Sequence, residues 1–104
     1  MIVTIVTFHL ARPTTLSEMT AVFQSTAPKY QSVKGLLRKN YWLSEDGRRS
    51  GGIYVWQSRK DAEQLYTAEW KRNVESKYGV PPSIEYLHSP VMVDNREQTI
   101  VAQE

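Results

Sequence analysis

Residues 35–70 read GLLRKNYWLSEDGRRSGGIYVWQSRKDAEQLYTAEW. Two apolar runs flank the turn pair Asp46-Gly47, and a Ser58-capped amphipathic segment follows. The stretch therefore predicts two antiparallel strands, Leu36–Leu43 and Ile53–Gln57, joined by a type I′ turn and followed by a helix. Ser50-Gly51-Gly52 carries the composition of a β-bulge, and the bulge decides which side chains share a face. Unbroken alternation sets Tyr54 and Trp56 beside Tyr41 and Leu43. A one-residue bulge sets them beside Asn40 and Trp42. Both registers are compatible with the sequence.

Outward from this core, Ile2–His9 is rich in β-branched residues and largely apolar on both faces, so the strand it predicts needs cover on both sides. Thr15-x-x-Glu18 is a capping box, and Leu16, Met19, Val22, Phe23, Ala27 and Tyr30 recur at helical spacing behind it. Pro28 has no amide to donate, so a kink or restart is expected near Ser25-Thr26. The second helix is expected to run unbroken from the Ser58 cap to Gly79, burying Ala62, Leu65, Tyr66, Trp70 and Val74. Ser83–His88 is the fourth strand, Pro90 breaks it, and Val91-Met92-Val93 continues it briefly. Residues 1–95 form one domain and 96–104 a polar tail, in which Thr99-Ile100-Val101 has the composition to pair with a sheet edge.

The order βαββαβ, with right-handed crossovers, predicts an α+β, ferredoxin-like fold: a four-stranded antiparallel sheet in the order 4-1-3-2 with the helices on one face. The open face asks for a cover, and a second copy of the chain supplies one, giving a homodimer.

Composition narrows the function. Thirteen basic and 11 acidic residues leave a net charge of +2, scattered without a basic stripe, which argues against nucleic acid as a partner. With no cysteine among 104 residues, disulfides, thiolate nucleophiles and thiolate metal sites are excluded. No apolar run reaches the roughly 20 residues that span a bilayer. The opening MIVTIVTFHLAR reads as a strand and not as a signal peptide, so a cytoplasmic protein without a membrane partner is expected.

At this point the residues resemble a known group. The string 35–70, Pro28-Lys29-Tyr30, Gly35-Leu36, the Gly51-Gly52 pair and the closing Ser89-Pro90-Val91 are similar to the small monooxygenases of the YdhR type, in the dimeric α+β barrel superfamily that also holds the antibiotic-biosynthesis monooxygenases. The resemblance implies a homodimer whose sheets pack face to face, with a pocket in each subunit between helices and sheet. It also implies oxidation of aromatic compounds without metal or flavin in some relatives and haem degradation in others. The haem-degrading pattern is an Asn on strand one, a Trp ending strand three and a His ten residues later. Here these positions hold Thr7, Trp56 and Tyr66, so only the Trp matches.

The residues that bear chemistry follow. Histidine is the residue type suited to taking a proton from a phenol or hydroquinone, which singles out His9, and Asn40 is suited to orienting a carbonyl or dioxygen; these two are the catalytic candidates. Thr7, Tyr54, Trp56, Tyr66 and Trp70 are the substrate-binding candidates. Tyr66 and Trp70, four residues apart, are expected to meet on one helical face. Polar-tipped aromatics around a hollow suit a flat aromatic ligand better than a core built for stability alone. His9 and His88 fall on different strand ends, so no metal site is expected. The reading is a cofactor-independent monooxygenase on a small aromatic or quinone-like substrate. Its alternatives are a non-catalytic small-ligand-binding or stress-related dimer, and a haem-binding protein using Tyr66 as a phenolate ligand.

Overall fold

The computed structural model describes residues 1–102. The elements run β1 (Ile2–His9), α1 (Leu16–Tyr30), β2 (Leu36–Leu43), β3 (Arg49–Trp56), α2 (Arg59–Leu65), α3 (Ala68–Tyr78), β4 (Ser83–His88), β5 (Val91–Asp94) and β6 (Thr99–Ala102). The first four strands to meet form an antiparallel sheet in the order β2-β3-β1-β4, as the ferredoxin-like reading requires.

Register settles the faces. Cross-strand partners share a face, so Ile2, Thr4, Val6 and Phe8 of β1 stand with Trp56, Tyr54, Gly52 and Ser50 of β3. Lys39 and Tyr41 join that side through Tyr54 and Gly52. It is the side the helices cover: Val6, Phe8, Tyr54, Trp56, Ala62 and Tyr66 form the buried cluster, with Tyr30, Trp70, Val74 and Tyr78 packed against it. Val3, Ile5, Thr7 and His9 lie on the opposite face with Asn40, Trp42 and Ile53.

The bulge is not where the glycines suggested. Gly51 and Gly52 pair regularly with Trp42 and Tyr41, and β3 begins at Arg49 rather than Ile53. The irregularity falls instead between Leu36 and Arg38, where Leu37 is extra and half exposed. A Cβ on Gly51 would run into the Val6 carbonyl oxygen, and one on Gly52 would stand 2.8 Å from the Tyr54 ring. These glycines serve close approach of neighbouring groups, not a break in pairing.

Three other local expectations are corrected. The hairpin turn is closed by Gly47 N–H donating to the Ser44 carbonyl at 2.9 Å, and only Gly47 has a positive φ, 71°. A type I′ turn needs two such residues. Here the Asp46 carboxylate accepts from Arg48 N–H and the Ser44 hydroxyl, which holds the tip without turning Asp46 itself left-handed. Helix α1 does not restart at Ser25-Thr26 but continues to Tyr30, with Pro28 in its last turn, where few ladder bonds remain to lose. The second helix is broken: Tyr66 ends α2 and Thr67 caps α3, its hydroxyl accepting from Trp70 N–H at 3.1 Å.

The polar tail expected from residue 96 onward holds a strand. β6 pairs with β5 in a separate two-stranded arm, Val91 opposite Ala102 and Asp94 opposite Thr99. Residues 103 and 104 of that tail lie outside the described residues. Arg38 and Asp94, 3.7 Å apart, link the arm to β2. No helix among the described residues is long and apolar enough to cross a membrane.

Candidate functional site

Between the sheet and helices α1 and α3 lies a hollow of about 110 Å³, partly open to solvent. Val6 and Phe8 of β1, Gly51, Gly52 and Tyr54 of β3, and Lys39 and Tyr41 of β2 form its floor. Phe23 and Tyr30 of α1 and Trp70, Val74 and Tyr78 of α3 form its roof. At Gly52 the helix-facing side of β3 carries no side chain of its own, and the Tyr54 ring and the Lys39 stem fill that place in the floor.

The rings are held in place, not loosely packed. Phe8 and Tyr78 stack with centroids 4.0 Å apart, and Phe23 and Tyr41 at 4.6 Å. The Trp70 indole N–H donates to the Tyr30 hydroxyl at 3.2 Å, and Tyr41 shares a 2.7 Å hydrogen bond with Thr26. The Tyr30 and Tyr41 hydroxyls at the hollow thus each have a partner, which fixes the two rings in place.

Behind this layer stands a buried polar relay. Trp56 Nε1 donates to Thr4 Oγ1 at 2.9 Å, and Thr4 Oγ1 shares a 2.6 Å hydrogen bond with the Tyr66 hydroxyl. Thr4 and Trp56 are wholly buried. Trp56 stacks on Tyr54 with centroids 5.9 Å apart, and Tyr66 meets Trp70 edge-on at 4.8 Å despite the helix break between them. The relay fixes the backs of two pocket rings, Tyr54 and Trp70.

Burial shapes the acid–base character of the site. It pushes the Tyr54 and Tyr66 phenols well above their ordinary value, with neighbouring phenols adding to the rise and the Thr4 hydrogen bond opposing it for Tyr66. Tyr78 is pushed up to about 12 by burial. Lys39 moves the other way, down to about 7, because burial penalises its ammonium and Lys29 repels it. The Lys39 amine sits among three rings, 3.4 Å from the Tyr30 centroid, 3.8 Å from Tyr41 and 4.7 Å from Tyr54. Lys39, Tyr30 and Tyr41 also line a second, more open hollow of about 260 Å³ between α1 and the edge strand β2.

Of the residues singled out from sequence, Tyr54 and Trp70 line the hollow, and Trp56 and Tyr66 support it from behind. His9, Thr7 and Asn40 do not reach it. They stand on the opposite face because strand alternation puts every second residue there, and His9 and Asn40 are exposed. The regular pairing of Gly51 and Gly52 excludes the register that would have joined Asn40 to Tyr54. Tyr66 as a haem phenolate does not fit either. Its hydroxyl is bound to Thr4 and its ionisation is opposed by burial. Among the described residues no group of three or more His, Asp or Glu stands close enough to hold a metal ion, and His9 and His88 lie at opposite ends of the β1–β4 ladder.

Two residues went unread in the sequence. Thr4 was the one polar residue among Ile2, Val6 and Phe8 on an apolar strand face. Lys39 shares strand parity with Tyr41 and Leu43 and not with its neighbours Arg38 and Asn40. In both, a polar residue at an apolar parity was the signal.

An antiparallel four-stranded sheet with its helices on one face, enclosing an aromatic hollow between the layers, defines a ferredoxin-like α+β domain. The chain belongs to the family described as "Putative mono-oxygenase ydhR", whose model matches residues 3–82. Three solved structures share the fold. A monooxygenase from the gene ActVA-Orf6 of Streptomyces coelicolor, in complex with the ligand Nanaomycin D, superposes with a TM-score of 0.66 at 21% identity, covering 85% of this chain and 86% of that one. An antibiotic biosynthesis monooxygenase from Nitrosomonas europaea, so described, gives 0.60 at 21% identity over 86% and 98%. Another so described, from Bordetella bronchiseptica, gives 0.61 at 16% over 85% and 96%. No curated protein sequence matches the chain.

Proposed function

We propose that the chain is a monooxygenase whose reducing electrons come from its substrate, and that the substrate is a small aromatic or quinone-like compound bound in the hollow between helices and sheet. The hollow carries this reading. Its volume of about 110 Å³ is of the order of the 150 Å³ engineered cavity that takes up benzene, so it accommodates about one ring while a larger ligand extends through the open side. Tyr54 and Trp70 present ring faces to such a ligand, supported by Trp56 and Tyr66. Family membership and the fold shared with monooxygenases give the reaction class its support.

The reaction balances without an external reductant. A phenol whose keto tautomer presents a CH₂ loses a proton to give a delocalised carbanion. The carbanion reduces dioxygen, one oxygen atom ending in a new carbonyl and the other leaving as water with the two hydrogens of that carbon. The protein's part is to bind the ring, exclude water and take the first proton. Oxygen-electrode measurements on chelator-treated protein with a panel of naphthols and hydroquinones test this. Substrate-dependent uptake, with one atom from ¹⁸O₂ in the product, is the expected result; no uptake across the panel overturns it.

A second reading, a ligand-binding dimer without turnover, draws support from the displacement of His9 and Asn40 to the far face. Tight binding with no oxygen consumption would favour it.

The homodimer belongs to the same proposal. Ile53 and Leu87 are exposed on the open face, and the β5–β6 arm exposes Val93 and Ile100 at 63% and 73%. Apolar surface of this kind on both the sheet and the arm supports a second copy as the cover.

A further inference from the structure

We propose that Lys39 is the proton acceptor of the site: its amine takes the hydroxyl proton of a phenolic ligand in the aromatic hollow and then stands as the ammonium partner of the resulting phenolate. The inference rests on the pocket being the ligand site, and it deepens that reading by naming the group that ionises the ligand.

Geometry carries it. Lys39 projects from β2 on the helix-facing side, opposite Tyr54, and lines the hollow itself. Its amine is fixed by three ring faces, Tyr30, Tyr41 and Tyr54, whose quadrupoles attract a cation. Two of those rings are tethered at their hydroxyls, Tyr30 by Trp70 and Tyr41 by Thr26, so the cage is preorganised. The titratable and charged groups around it are Lys29 and Tyr30 from α1, Tyr41 from β2, Tyr54 from β3, and Lys77 and Tyr78 from α3. Among the described residues, no carboxylate lines this hollow or its neighbour. A phenolate formed here meets only cations and phenol dipoles, and Lys39 is the most enclosed cation available.

The acid–base balance agrees with that placement. Burial and Lys29 hold the amine near pH 7, while the ring faces favour its charged form, so both forms are accessible around neutrality. A base performs best when its pKa lies near the working pH. The phenols in the wall do not compete, since Tyr54 is pushed well up and Tyr78 to about 12. The step is a proton transfer alone: the ligand O–H bond breaks, an N–H bond forms, and the electron pair stays on oxygen.

The probe is 4-nitrophenol, a single ring whose phenolate is coloured, with 4-nitroanisole as a probe that cannot ionise. Bound to the wild-type protein, the nitrophenol is expected to turn to phenolate at a pH lower by roughly one unit than free in solution. Lys39→Met should abolish that shift and still bind the anisole. An unshifted or upward-shifted titration in wild type, or no binding, overturns the proposal without reference to any variant. So does a shift that persists in Lys39→Met. With an oxidisable substrate, Lys39→Met should lower kcat/KM by about 10² to 10⁴ and remove the acidic limb near pH 7. A downward shift in a protein that consumes no oxygen leaves Lys39 as the ionising group and removes the monooxygenase reading, so the two failures are separable.

Discussion

At the scale of single residues, the site is organised by side chains that the strand parity selects. Thr4 is one hydroxyl serving two aromatic donors and acceptors at once, bonded to Trp56 Nε1 and to Tyr66. Removing it leaves an indole N–H and a phenol without partners inside the core, the situation that costs most among lost hydrogen bonds. Thr4→Val keeps the shape and should destabilise the protein by about 1–3 kcal/mol in urea denaturation. It should also weaken aromatic binding, because Tyr54 and Trp70 lose their backing. Thr4→Ser, which restores the hydroxyl, should recover most of the binding. The Lys39 prediction belongs to this scale as well, and the two are independent: Thr4 supports rings, and Lys39 works between them.

At the scale of elements, the caps decide more than the apolar stripes. The periodicity over residues 58–79 reads as one helix, yet a second cap at Thr67 splits it, and that split turns Trp70 toward Tyr30. Thr67→Ala should cost about 1 kcal/mol of stability by thermal unfolding, the usual worth of an N-cap. It should cost ligand affinity too, since α3 carries the roof of the pocket. Element existence was legible from sequence because Thr15, Ser58 and the β-branched runs of β1 and β3 all point the same way. The order β2-β3-β1-β4 followed from that order of elements alone. What stayed illegible was local chemistry of equal weight on both sides. Ser50-Gly51-Gly52 has the composition of a bulge, but its glycines are there because Val6 and Tyr54 come too close for a Cβ. The true bulge at Leu37 has no glycine to mark it. With both registers open, Asn40 could stand beside Tyr54 in one of them, and the observed pairing gives that place to Lys39. Thr7 and His9 entered for a separate reason: the two faces of β1 are both largely apolar, and apolarity alone does not say which of them meets the helices.

At the scale of the whole molecule, the helices cover one side of the sheet, while Ile53 and Leu87 on its other side and Val93 and Ile100 on the arm stay exposed. Trp42, on the open side, has a buried indole N–H with no partner among the described residues. Sedimentation equilibrium at micromolar concentration should report about twice the 12.0 kDa chain mass. Val93→Lys, which charges the arm at an exposed position, should shift the equilibrium toward the single chain by tenfold or more, on the order of 1.4 kcal/mol. A lone 12.0 kDa species in the unaltered protein would remove the dimer from the proposal.

Lys39, Tyr30 and Tyr41 form the wall shared by the two hollows. A change at any of these three side chains therefore reshapes both hollows together, whereas Gln31 and Leu36 touch the outer one alone and Val74 and Tyr78 the inner one alone.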